Sequence, residues 1–150
     1  MFLMAGCQPK IDVEKEKAEI SKLSELQKQA LLQGDVEAIL SLIPEGHENI
    51  NVGRGKISKI TKADIKQEFE NQFKQGRYIE INDLVTPTIK ISPDGKMAWG
   101  FGQMKFRFAY KDSTGVEHEY AATNAWLSVF EKHNSKWVES GIAQTFDTGE

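Results

Sequence analysis

KMAWGFGQMKFRFAYK (residues 96–111) is the first of three stretches that decide the fold; the others are EHEYAATNAWLSVFEK (117–132) and KWVESGIAQTF (136–146). Apolar and polar residues alternate along them, which is the period of a β-strand. Short turn segments separate the stretches. Residues 77–91 are also predicted to be extended. The sequence therefore predicts an antiparallel sheet of long neighbouring strands.

Upstream of these strands, apolar residues recur at every third or fourth position, which is the spacing of an amphipathic helix. A first helix is predicted from Glu14 to Gly34, where a glycine can end the helix in the left-handed conformation. A short second helix follows Asp35, and a third runs from Thr61 to Gly76. These three helices are the available cover for one face of the sheet.

The predicted fold class is α+β, with a curved antiparallel sheet forming a cone packed on three N-terminal helices. Residues 45–59 are expected to be rich in loops, with a short strand at 50–52. GRGK (53–56) looks like a phosphate-binding loop but lacks the following Ser or Thr and a preceding buried strand. This segment is therefore predicted to be a flexible loop.

Composition restricts the class of protein. The chain has 150 residues, 39% hydrophobic and 27% charged, as expected of one globular domain. The formal net charge is −3 and there is no basic run, so nucleic acid is not expected as a partner. One cysteine excludes an internal disulfide and a zinc site built from several cysteines.

The N-terminus carries the order Ala5, Gly6 and Cys7 after apolar residues. This order resembles the lipobox of bacterial lipoproteins, and the resemblance implies cleavage before Cys7 and a lipid on its thiol. Residues 1–13 would then be a lipobox remnant and tether, and 14–150 the folded domain. The expected location is the bacterial cell envelope, on the periplasmic or surface face, with membrane contact only through Cys7. The alternative is a free cysteine in a cytoplasmic protein.

Several short motifs, taken in order, resemble the SnoaL-like branch of the nuclear transport factor 2-like superfamily. They are GD (34–35) with Ala38 and Leu42, DGKMAW (94–99), WLSVFEK (126–132) and KW (136–137). The similarity spans about residues 14–147 and implies a cone with an internal pocket, often dimeric through its sheet. It implies no single activity, since isomerases, dehydratases, cyclases and non-catalytic binders share the fold.

Two features of such enzymes are missing from this chain. The resemblance implies a pocket tyrosine in the first helix for isomerases, but Tyr78 is the earliest tyrosine. Many SnoaL-like relatives carry a histidine in the last strand, where this chain has AQT (143–145). The histidines, at positions 47, 118 and 133, are interpreted as turn residues. No catalytic residue, metal or cofactor is therefore predicted.

Polar side chains on two neighbouring strands suggest a binding pocket. Asn124 has apolar neighbours, and a buried amide needs either structural hydrogen bonds or a polar pocket, two interpretations of equal standing here. The candidate pocket residues are Asn124, Tyr120, Gln103, Arg107, Trp126, Phe69 and Phe73. Gln103 and Arg107 belong to one strand, and Tyr120 and Asn124 belong to the next. If these two sets lie on opposite faces of the sheet, Gln103 and Arg107 are surface residues.

The sequence favours a non-catalytic domain that binds a small apolar molecule or a partner, within an envelope lipoprotein. The alternative is a small SnoaL-like enzyme of the isomerase, dehydratase or cyclase type, acting on an apolar carbonyl-containing substrate. A buried Asp or Glu with a raised pKa at the mouth of the cone would favour the enzyme. A homodimer is expected, because Trp99 and Phe101 would otherwise be exposed on the uncovered face of the sheet.

Overall fold

The computed structural model describes residues 11–149, so Cys7 lies outside the described residues and its lipidation stays a prediction. The helices are α1 (Val13–Gln33), α2 (Val36–Ser41) and α3 (Lys62–Gln75). The strands are β1 (Glu48–Gly53), β2 (Lys56–Thr61), β3 (Gly76–Ile91), β4 (Met97–Lys111), β5 (Glu117–His133) and β6 (Lys136–Asp147). Within 11–149 no helix combines the length and the apolar character needed to cross a membrane.

The helices begin and end where the sequence predicts. The side chains of Asp12 and Asp35 each accept a hydrogen bond from the backbone N–H three residues on. Gly34 ends α1 with φ 65°, in the left-handed region that glycine adopts without strain. Thr61 and Asp64 form the reciprocal bonds of a capping box at the start of α3.

The sheet contains six strands in the order β2-β1-β6-β5-β4-β3 and is not closed. Every neighbouring pair is antiparallel except β1 and β6, which run parallel, so the sheet is mixed rather than purely antiparallel. The expectation of a loop at 53–56 is wrong. Arg54 (φ 50°) and Gly55 (φ 72°) form a tight turn that joins β1 to β2 in a hairpin.

One face of the sheet, called the inner face, packs against α1. Ile20 of α1 is 1% exposed and belongs to a core cluster with Ile89, Ala98, Phe130 and Trp137. Helix α3 has no fully buried residue, because part of its apolar side borders a cavity rather than the sheet. The unequal packing of α1 and α3 leaves room for a site between helices and sheet.

The opposite, outer face carries an apolar surface. Trp99 and Phe101 stack with ring centroids 6.0 Å apart and are 43% and 42% exposed. Met97 precedes them on β4, and Leu127 lies opposite Phe101 on β5. We call these four residues the outer apolar patch.

Glu16 ties α1 to the end of the sheet. Its carboxylate accepts hydrogen bonds from the Lys132 ammonium and from the Trp137 indole N–H, both at 2.6 Å. The Glu16 side chain is 15% exposed. The hydrogen bond from Lys132 is the main reason that the pKa of Glu16 lies below its ordinary value, and the bond from Trp137 adds to it.

We expect Glu16→Gln to lower the free energy of unfolding by about 1–3 kcal/mol at pH 7, because one buried donor loses its acceptor. A lowered folded-state pKa means that this stabilisation is complete above the ordinary glutamate pKa of 4.5. It is lost as the pH falls through the folded-state pKa, so the difference from wild type should shrink in acid. Urea unfolding at a series of pH values measures this difference.

The matched control is Glu14→Gln on the same helix, where the side chain is 82% exposed and pairs with Lys17. This variant should unfold within about 0.5 kcal/mol of wild type. Equal losses for the two variants, or a Glu16 effect that does not change with pH, would show that Glu16 does not anchor α1.

Candidate functional site

A cavity of about 1130 Å³ lies between the inner face of the sheet and helices α1 and α3. Its volume is enough for an organic molecule of drug-like size. Aromatic side chains supply much of its wall: Phe69, Tyr78, Phe106, Tyr120, Trp126, Phe130 and Phe146. Charged side chains, among them Lys28, Asp83 and Arg54, also border the cavity.

The structure brings four of the predicted pocket residues together: Asn124, Tyr120, Trp126 and Phe69 all line the cavity. That they bind a ligand stays a prediction. Phe73 does not line it. The ring of Phe73 instead packs beneath Gly34, against Phe69 at 5.8 Å and against Tyr78 at 6.5 Å between ring centroids.

Gln103 and Arg107 lie on the outer face, which corrects the expectation that they line the pocket. Residues that stand opposite each other on paired strands share a face, and Asn124 stands opposite Met104 rather than Gln103. The Arg107 guanidinium pairs with Glu119 at 2.5 Å and with Glu80 at 3.6 Å. Gln103 and Arg107 are therefore surface residues, the second of the two outcomes foreseen from the sequence.

A group of polar side chains interrupts the apolar lining, on the inner face of β1, β5 and β6. We call this group the polar patch; its members are Asn49, Asn51, Asn124, Ser128, Glu139 and Gln144. The strand registers make it continuous. Asn51 stands beside Ile142, which stands opposite Ser128, while Gln144 stands opposite Trp126. Neighbouring strands lie only about 4.8 Å apart, so these side chains are close neighbours.

Glu139 is the ionisable member of the polar patch. Its carboxylate accepts a hydrogen bond from the Ser128 hydroxyl at 2.8 Å and another from the Asn49 amide at 3.2 Å. Burial raises the pKa of Glu139, and these two bonds oppose the rise without cancelling it. Over residues 11–149, no nitrogen of a Lys, Arg or His side chain lies within 4 Å of this carboxylate.

A β-bulge turns Glu139 inward. Glu139 stands opposite Phe130 and Gly141 opposite Val129, so Ser140 is an extra residue on β6. Without it, the alternation that points Ile142 into the cavity would point Glu139 outward. The backbone carbonyl of Glu139 then accepts hydrogen bonds from side chains at the start of β1, Asn49 Nδ2 at 3.2 Å and His47 Nε2 at 2.9 Å.

Four polar atoms at the cavity are buried and have no hydrogen-bond partner within the described protein: Asn49 Oδ1, Asn51 Oδ1, Asn124 Oδ1 and Trp126 Nε1. The orientation of Asn49 is fixed, because its amide nitrogen donates to a backbone carbonyl. Asn124 Nδ2 donates to Gln144 Oε1 at 3.3 Å, so Asn124 Oδ1 is the atom of this side chain that lacks a partner. Each such atom costs about 1–3 kcal/mol unless solvent or a ligand bonds to it.

Glycine at position 102 makes room for the Trp126 indole. A Cβ at that position would lie 2.9 Å from the ring atom Cζ2, closer than van der Waals contact allows. Elsewhere in the cavity wall, the Tyr78 hydroxyl accepts a hydrogen bond from Gln72 Nε2 at 2.9 Å, and burial raises the pKa of Tyr78. The phenol is therefore protonated at neutral pH and keeps its own hydrogen to donate.

The histidines do not form a metal site. His47 bonds to the Glu139 carbonyl, and His118 contacts Asp112 at 2.8 Å in the β4–β5 hairpin. No cluster of three or more His, Cys, Asp or Glu side chains placed to hold a metal occurs within residues 11–149. The polar patch was missed at the sequence level except for Asn124. Its signals were the alternation of Asn49 and Asn51 around an isoleucine and a glycine inside β6.

No protein-family model matches the chain, and no curated protein is significantly similar in sequence. Solved structures are similar in fold. An NTF2-like protein from Cytophaga hutchinsonii superposes with a TM-score of 0.65 at 15% identity, over 86% of this chain and 96% of that chain. An NTF-2 like protein from Shewanella oneidensis gives 0.58 at 16% identity, over 85% and 97%.

A ketosteroid isomerase-like protein from Erwinia carotovora atroseptica superposes with a TM-score of 0.59 at 15% identity, over 88% of this chain and 96% of that chain. Identities this low establish a shared architecture and no shared chemistry. The helices, the open mixed sheet and the internal cavity agree with the resemblance seen in the sequence. The chain has the nuclear transport factor 2-like (NTF2-like) fold.

Proposed function

We propose that this domain binds a small organic molecule in the cavity, with the apolar part of the ligand on the aromatic wall and a polar group on the polar patch. The four unpartnered buried atoms of Asn49, Asn51, Asn124 and Trp126 carry the proposal. Each of these atoms needs a hydrogen-bond partner from solvent or from a ligand, since a buried polar atom left with neither costs about 1–3 kcal/mol. These atoms need partners, and the cavity is where a ligand can supply them.

The apolar wall of the cavity supplies binding affinity, and the polar patch sets the orientation of the ligand. Burying an apolar ligand against the aromatic rings of the wall supplies affinity in proportion to the area removed from water. The polar patch fixes the orientation of the ligand, since a ligand that leaves those atoms unpaired binds more weakly. The same division is found in small-molecule sites generally.

We expect a panel of aryl-alkyl alcohols, ketones and amides to include compounds that shift the NMR signals of the Trp126 indole N–H and the Asn124 amide. Asn124→Ala should weaken their binding about fivefold to tenfold, the equivalent of one hydrogen bond. Arg107→Ala is the control, since this residue lies on the outer face of the same sheet. A panel that leaves both signals unmoved, or equal weakening by the two variants, would contradict the proposed site.

A second candidate function is proton-transfer catalysis on an apolar carbonyl-containing substrate, because Glu139 is a buried carboxyl with a raised pKa beside the cavity. Ketones from the same panel should then exchange their α-hydrogens with solvent deuterium faster in the presence of wild type than of Glu139→Gln. NMR follows the exchange directly. Equal exchange rates would exclude this activity for those ketones and leave binding alone.

We also propose that a second copy of the chain covers the outer apolar patch. Trp99 and Phe101 are large, stacked and, within residues 11–149, exposed on the side of β4 that faces away from the helices. Light scattering at micromolar concentration should give twice the chain mass of 16.9 kDa, and Trp99→Glu should give the monomer. Ile57→Glu, at an exposed residue of the edge strand β2, is the matched control. A monomeric wild type would refute the dimer.

A further inference from the structure

The polar patch has an electrostatic character that narrows the class of ligand. Three of its four unpartnered atoms are amide oxygens, which only accept hydrogen bonds, and the fourth is the Trp126 N–H. These buried atoms therefore favour a ligand group that is rich in donors. Ammonium and guanidinium groups are the donor-rich groups of small organic molecules that carry no acceptor of their own.

The ionised form of Glu139 places a negative charge in the same patch. A carboxylate offers about four acceptor positions. Ser128 and Asn49 occupy two of them in the structure. Across the described residues 11–149, no cationic side chain lies within 4 Å to balance the charge. Buried carboxylates are normally paired with a cation, so this one has both the positions and the electrostatic need for a cationic partner.

The cationic side chains that border the cavity do not serve as the partner of the Glu139 carboxylate. The Lys28 ammonium is held by Glu25 at 2.5 Å and by Asp83 at 2.8 Å. Arg54 and Lys56 belong to the β1–β2 turn and are exposed. Tyr78, Tyr120 and Trp126 line the same cavity, and the faces of Tyr and Trp rings attract cations.

We infer that the cavity takes an organic cation, an ammonium or guanidinium group on an apolar body, with the nitrogen group on the polar patch and Glu139 as its counter-charge. This inference rests on the proposed function and adds the charge of the ligand. An ionised Glu139 carboxylate would repel an anionic ligand group, and of the four buried unpartnered atoms only the Trp126 N–H could donate to one.

Three probes with one skeleton isolate the charge: 4-phenylbutylamine, 4-phenylbutanol and 4-phenylbutyrate. Calorimetry at pH 7 should give the amine a Kd at least about tenfold below that of the alcohol, as expected for a charge-assisted hydrogen bond, with the carboxylate weakest. The Trp126 indole N–H signal, followed by NMR in the same titrations, should move with the amine and so place it in the cavity.

Glu139→Gln tests the role assigned to the carboxylate. The advantage of the amine over the alcohol should fall to about twofold or less, while the alcohol binds as before within about threefold. Glu48→Gln, whose side chain pairs with Lys59 at 3.3 Å and is 54% exposed, is the control and should keep the full advantage. If Glu139→Gln fails to fold, the wild-type probe series decides alone.

The outcomes separate the inference from the function on which it rests. If the alcohol or the carboxylate binds as tightly as the amine and moves the Trp126 signal, the cavity is a binding site and the assigned charge is wrong. If none of the probes moves that signal at millimolar concentration, the proposed function and the inference both fail. An amine advantage that survives Glu139→Gln also overturns the inference.

Discussion

The buried carboxylate of Glu139 and its hydrogen bonds are the constraint on which the site depends. Strand β1 joins the sheet through a short parallel pairing with β6, in which the register extends only from Ile50 to Val52. Side-chain bonds from Asn49 and His47 to the Glu139 carbonyl continue this junction toward the start of β1. Ser128 links the same residue to β5. The group that makes the cavity polar therefore also connects three strands.

The cavity persists because the two long helices pack differently. Helix α1 is held to the sheet by an apolar cluster around Ile20 and by the bonds of Glu16 to Lys132 and Trp137. Helix α3 is fixed by the capping box at its start and by the packing of Phe73, whereas Phe69 borders the cavity. Because α1 packs against the sheet and α3 is separated from it by the cavity, the fold can hold a ligand without unfolding.

Local sequence patterns predicted most of the architecture, because caps, turns and two-residue alternation are local properties. The three helices and the strands β3 to β6 follow from them. The parallel pairing of β1 with β6 could not be predicted, since it joins segments about ninety residues apart. The same limit applies to the site. Asn124 and Trp126 were found, but Gln103 was assigned to the wrong face because alternation within one strand does not fix its register with the next. Glu139 was missed because the bulge at Ser140 reverses the alternation of β6.

The most direct test of a buried carboxylate without a cationic partner is its own titration. Carbon-13 NMR of the glutamate carboxyl groups, with Glu139→Gln to assign the signal, measures the pKa of this residue in the ligand-free protein. Burial without a counter-charge predicts a pKa clearly above the ordinary glutamate value of 4.5. A pKa at or below 4.5 would mean that Glu139 is solvated or paired with a cation. That result would contradict the account of Glu139 as a buried carboxylate without a counter-charge, on which the preference for a cation rests.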